Sequence, residues 1–163
     1  MASERKQKRK TLRDLLPKDI VVQDLKATKK EDAIRELCDA LVIAGHVEVG
    51  KGDTVLEALL QRERVASTGI GNGMAIPHAK SKWVDKRAIA VGVCREGLDF
   101  GSLDGAPVKM IVMVATPPSA NKEHLVLMRA LASVARDEEQ SRRLTQSRDR
   151  RSFLDQLEQI VVE

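Results

Sequence analysis

Aromatic rings are almost missing from this sequence: two Phe, one Trp and no Tyr in 163 residues. Few rings are left on which bases could stack, so single-strand nucleic-acid binding is disfavoured. The core must instead be assembled from Val, Ile, Leu, Met and Ala. Cysteine is equally scarce. Cys38 and Cys94 lie far apart and form no CxxC pair, which excludes a disulfide framework. No pair of His or Cys has the short spacing of a zinc site, and there is no G-x-S-x-G elbow of a serine hydrolase. No apolar run reaches the roughly 18 residues of a membrane span. The charged N-terminus is not followed by the apolar stretch of a secretory signal. The expectation is a reduced, cytoplasmic protein.

What is present is a globular balance, with 42% hydrophobic and 32% charged residues. That suits one domain with a real core. The net charge of +4 is local: residues 1–13 hold six cations against Glu4, which leaves the rest of the chain at −1. A basic tail over residues 1–10 is expected to be disordered, ahead of one domain over 11–163.

Along the chain, Thr11 with Asp14 reads as the capping box of a short helix, and Ile20 to Leu25 as a first strand. Thr28 with Glu31 predicts the start of a helix that Gly45 ends, and Thr54 with Glu57 the start of another. Residues 66–81 follow neither period. Ala88 to Cys94 and Val108 to Ala115 are nearly continuous apolar runs, as expected of strands covered on both faces. Leu98 to Phe100 reads as a possible short strand. A helix is predicted from Asn121 to about Arg136, with Leu125, Met128, Ala132 and Ala135 sharing one face and Leu127, Leu131 and Val134 flanking it, and two more over about 137–146 and 149–160. The fold class that results is α/β: one mixed sheet of about five strands with helices on both faces.

The candidate site centres on residues 66–81. Gly69, Gly71 and Gly73 alternate, and concave runs of backbone N–H groups bind anions. The spacing is neither a Walker loop nor a dinucleotide fingerprint. His78 follows Pro77 directly. A neutral imidazole nitrogen is a nucleophile and can carry a covalent intermediate. His124 falls in the first turn of a helix, where free N–H groups favour anions. Arg62 lies near the end of the preceding helix and has the planar fork suited to phosphoryl oxygens. Each of these also admits an ordinary reading as a packing or solvent-facing residue. His46, in a turn, receives no role.

The run Arg62-Glu63, Ser67-Thr68-Gly69-Ile70-Gly71-Asn72-Gly73 and Ala75-Ile76-Pro77-His78 resembles the phosphorylation-site signature of enzyme IIA domains. These belong to the fructose–mannitol class of the bacterial phosphoenolpyruvate-dependent phosphotransferase system. Leu98-Asp99-Phe100 through Pro107-Val108, and then Asn121-Lys122-Glu123-His124-Leu125, resemble two later segments in the same order. The resemblance covers about residues 11–160. It implies that His78 accepts a phosphoryl group from an HPr-type phosphocarrier, that His124 is its neighbour and that Arg62 stabilises charge. Ser67, Thr68, Gly71, Asn72 and Gly73 are candidate phosphoryl-binding residues. No metal and no cofactor are implied, because a phosphorylated protein delivers the group. The onward partner is either an enzyme IIB or a regulated target protein. The opening, Leu12 to Leu16 and Ile20 to Ala27, resembles the nitrogen-regulatory type more than the sugar-uptake type.

Overall fold

In a computed structural model that describes residues 8–162, the chain forms six helices and six strands among the described residues. Helix α1 spans Leu12–Leu15, and strand β1 spans Val21–Asp24. Helices α2 (Lys30–Ile43) and α3 (Gly52–Val65) follow. Strands β2 (Gly69–Gly71), β3 (Met74–Ala75) and β4 (His78–Lys80) are short, and β5 (Ala88–Leu98) and β6 (Val108–Thr116) are long. Helices α4 (Asn121–Arg136), α5 (Glu138–Thr145) and α6 (Arg150–Gln159) close the chain. No described helix is long and apolar enough to cross a membrane.

The sheet runs β1-β5-β6-β3-β2, with β4 also on β6. It is mixed: β1 is parallel to β5, β5 antiparallel to β6, and β3 and β4 both parallel to β6. Strands β3 and β4 run in line along the same side of β6, separated by Ile76 and Pro77. Pro77 has no N–H to donate to the ladder, yet its carbonyl still accepts from Val114 N–H at 2.9 Å. That split accounts for six strands where about five were expected.

Strand alternation divides the core. Met110, Val112 and Val114 face the cluster built with α1, α4, α5 and α6, while Ile111, Met113 and Ala115 face the one built with α2 and α3. Helices therefore cover both faces, as the continuous apolar runs predict. Gly92 sits on the α2/α3 side where space is short: a Cβ there would come within 2.5 Å of Leu25 Cδ1. Cys38 and Cys94 are buried free thiols in the same cluster, and burial pushes each up to about 11.

Several expected boundaries hold. The Thr11–Asp14 capping box forms, Gly45 closes α2 at φ 82°, and α4 spans Asn121–Arg136. Others move. Thr28 does not cap α2; Lys29 precedes its first residue with no side-chain cap bond. Helix α3 begins at Gly52, two residues before Thr54. Leu98 ends β5 and does not start a separate strand. On α4 the buried face is His124, Leu127, Leu131, Val134 and Ala135, whereas Leu125 is 55% exposed. Most of the basic tail, residues 1–7, lies outside the described residues. Lys10 is exposed, but its carbonyl accepts from Val162 N–H at 2.9 Å, so it already adheres to the fold.

Candidate functional site

His78 opens β4 and pairs in register with Val114. Paired residues on neighbouring strands point to the same face, and Val114 belongs to the α4 side of the core. The His78 ring therefore projects toward the start of α4. There it meets His124, with ring centroids 5.7 Å apart and planes inclined by 47°. The sequence separation of 46 residues is closed by β6 and the Pro117–Pro118 turn, which returns the chain to the same end of the sheet.

The His78 ring is oriented by its own chain. Nδ1 lies 2.8 Å from the carbonyl oxygen of Ile76. A carbonyl can only accept, so Nδ1 carries the proton and Nε2 keeps its lone pair. Burial is the largest influence on this imidazole and lowers its pKa below 6.5. The Ile76 carbonyl opposes that, the Arg62 charge adds to it, and Glu63 opposes it. Each influence on the ring is thus traceable to a neighbour, and the net effect favours the neutral, nucleophilic form.

His124 is 7% exposed. It is lowered in the same direction, first by burial and then by the charges of His78, Lys80 and Arg87. Its Nδ1 lies 3.5 Å from Thr116 Oγ1, and its backbone N–H donates to Ala120 at the helix start. Arg62, in the last turn of α3, donates Nη1 to the Ala66 carbonyl at 2.8 Å. Its charge is one of the influences that lower the His78 pKa. His78 and His124 are brought together, whereas Arg62 reaches the pair through its charge at His78.

The remaining candidates are placed differently. Thr68 is 5% exposed and its hydroxyl donates to Glu63 at 2.6 Å. Ser67 Oγ donates to the Phe100 carbonyl at 2.6 Å and accepts from Gly69 N–H. Both hydroxyls are committed to the fold. Gly71, Asn72 and Gly73 do not approach His78. Asn72 and Gly73 form a two-residue turn between β2 and β3, with φ of 54° and 80°. Asn72 donates through its side chain to the Ala135 carbonyl at 2.8 Å and through its backbone to Asp104 at 3.0 Å. Ala135 lies eleven residues from His124 on α4, or about 16 Å at 1.5 Å per residue. The glycine loop therefore acts as a hairpin and not as an anion cradle beside the histidine.

Three residues near the site carried no assigned role in the sequence. Glu63 is a buried carboxylate that accepts from Thr68 N–H (3.0 Å), Thr68 Oγ1 and Lys30 Nζ (3.3 Å). Thr116 is fully buried at the end of β6. Lys80 follows His78 on the same face and donates to Asn121 Oδ1 at the start of α4. Lys80 was findable, since strand period two puts it beside His78. Glu63 stands beside Arg62 in the signature run, but nothing in its spacing marks it as buried. Among the described residues no three His, Cys, Asp or Glu side chains gather as a metal site. His46 lies 3.6 Å from Asp19, away from this cluster.

Residues 14–160 match the family described as "Phosphoenolpyruvate-dependent sugar phosphotransferase system, EIIA 2". A "PTS system fructose-specific EIIA component" of Haloferax volcanii is 33% identical over 90% of this chain and 94% of its own. Among solved structures, "Nitrogen Regulatory Protein IIA-Ntr" of Neisseria meningitidis superposes with a TM-score of 0.76 at 28% identity, over 90% of this chain and 98% of that one. The IIA chain in the "Complex of enzyme IIAMTL and phosphorylated enzyme IIBMTL" of Escherichia coli superposes with a TM-score of 0.68 at 28% identity, over 85% and 92%.

Proposed function

Because the chain belongs to the EIIA 2 family of the phosphoenolpyruvate-dependent sugar phosphotransferase system, we propose that it is a phosphocarrier using Nε2 of His78. It accepts a phosphoryl group from a phosphorylated HPr-type protein and passes it, or the signal it represents, to a second protein. The observation that carries this reading is the 2.8 Å contact that fixes the Nδ1 proton of His78 and frees Nε2 beside His124.

The chemistry follows from that tautomer. The Nε2 lone pair attacks phosphorus, the donor's P–N bond breaks, and its electron pair returns to the donor imidazole. No proton has to move between the rings. As the new P–N bond forms, the His78 ring gains positive charge. The Ile76 carbonyl and the Glu63 carboxylate lie where they offset it. The equatorial phosphoryl oxygens stay negative and need donors set in advance. Arg62, the His124 ring and the N-terminal end of α4 supply them without a metal ion. Thr116 and Lys80 hold His124 and the start of α4 in place.

A regulatory role through protein partners, of the nitrogen-regulatory type, is the favoured end of the relay. The superposition on the nitrogen-regulatory structure is better than that on the mannitol domain, 0.76 against 0.68. A second reading, sugar uptake through an enzyme IIB, draws support from the near full-length likeness to a fructose-specific component. The site operates in the cytoplasm on either reading. Incubation with a phosphorylated HPr-type donor is expected to add one acid-labile, base-stable phosphoryl group, and His78→Ala to gain none. Label that persists in His78→Ala overturns the assignment. Rapid passage of the label to a fructose- or mannitol-class IIB selects uptake. Retention of the label, with partners captured differently by the phosphorylated and unphosphorylated forms, selects regulation.

A further inference from the structure

A groove lies at the other end of the sheet from His78. It has a volume of about 670 Å³ and is floored by Val93 of β5 and walled by Arg95, Lys109, Arg142 and Arg148. These four cations come from β5, β6, the last turn of α5 and the loop after it. No carboxylate lines the groove. Three acidic groups on the flanking segments are engaged or offset. Asp24 meets Arg95 at 3.6 Å, but both are more than 60% exposed, so that pair is screened. Asp149 is turned to cap α6, accepting from Ser152 N–H at 2.8 Å. Glu139 pairs with Arg143, which does not line the groove. Four like charges thus converge on one concavity in a chain whose remainder, beyond the basic tail, carries net −1.

Like charges held together cost free energy unless a counter-charge joins them. We propose that this groove is a binding site for a small molecule bearing two or more phosphate groups. The size fits a small ligand and not a macromolecular track. The donor set of three guanidinium forks and one ammonium matches phosphate oxygens bidentately and at a point. No aromatic side chain lines the groove, so the phosphates supply the affinity and a base, if present, goes unstacked. The site is separate from the phosphorylation site. Lys109 and Val114 are five residues apart on β6, about 17 Å at 3.3 Å per residue, and Val114 is the register partner of His78. The groove does touch the β2–β3 hairpin: Lys109 N–H donates to the Gly73 carbonyl at 2.8 Å, and Thr145 packs against Gly73.

The test uses the full chain and inorganic tripolyphosphate as the probe, with calorimetric titration and amide chemical-shift mapping at moderate salt. One-to-one binding is expected, with the largest shifts at Lys109, Arg142, Thr145 and Arg148. Lys109→Ala and Arg142→Ala, both exposed and outside the His78 cluster, should each weaken binding at least tenfold while leaving phosphoryl uptake at His78 unchanged. Raising the salt should weaken it further. Shifts confined to His78, Arg62 and Lys80 would overturn the proposal. So would equal binding by both variants. A short DNA duplex or anionic-lipid vesicles that compete for these residues where tripolyphosphate does not would assign the patch to a macromolecule, which also overturns it.

Discussion

Replacing Glu63 by alanine removes a carboxylate that is only 6% exposed and serves three donors: Thr68 N–H, Thr68 Oγ1 and Lys30 Nζ. The Lys30 side chain retains 22% exposure and can turn to water, but Thr68, at 5%, cannot. Two buried donors are therefore stranded, at about 1–3 kcal/mol each. The expected loss is about 3–5 kcal/mol, from these two stranded donors together. At about 2–4 °C per kcal/mol for a chain of this size, the midpoint should fall by roughly 6–20 °C. Glu63→Gln keeps the shape and one acceptor for Thr68, so its loss should be smaller, about 1–2 kcal/mol. Urea unfolding of the three proteins measures both. In either variant the imidazole of His78 should titrate still lower, because Glu63 is among the groups that raise it. A loss below about 1 kcal/mol for Glu63→Ala, or an unmoved His78 titration, would refute the idea that this carboxylate anchors the entry to β2 and is felt at the histidine.

Other consequences are separable. His78 and His124 are both held below 6.5 by burial first. The unfolded chain therefore binds more protons in that window, and stability should be full above about pH 6.5 and decline as pH falls through it toward the folded values. Denaturation midpoints across pH 5–8 that stay flat would contradict this. Asn72→Ala loses a left-handed residue's tolerance and the bond to Ala135, about 2 kcal/mol together, with phosphoryl uptake unchanged in rate. A tenfold slower uptake by the folded variant would return the hairpin to the phosphoryl site. Gly92→Ala should cost about 1–3 kcal/mol through the clash with Leu25; a change within 0.5 kcal/mol in urea unfolding would mean that Leu25 simply changes rotamer.

The long elements were legible because one signal dominated each. The unbroken apolar runs of β5 and β6 meant burial on both faces, and the Pro117–Pro118 stop put α4 at Asn121. The face of α4 was only partly legible: Leu127, Leu131 and Val134 read as its flank, because Leu125 and Met128 offer an apolar stripe beside the true one, and only packing selects between them. The cap assignments at Thr28 and Thr54 failed where the chain begins its helix without a side-chain acceptor at all. Residues 66–81 hid three strands of two or three residues each, too short to show a period. The Asn72-Gly73 pair in that stretch was itself a hairpin signal, outweighed by the glycine alternation around it. His78, His124 and Arg62 could be named individually. That His78 and His124 meet is a property of the sheet order, which brings β4 and the end of β6 together across a sequence gap no local pattern spans.

The central claim is a phosphoryl group on Nε2 of His78, set by the Nδ1 contact with Ile76. A long-range proton–nitrogen correlation spectrum of the protein after phosphorylation by an HPr-type donor tests it in one measurement. The account predicts a single modified imidazole, that of His78, with phosphorus coupled to Nε2 and the proton retained on Nδ1. Phosphorus on Nδ1, or on His124, would contradict it.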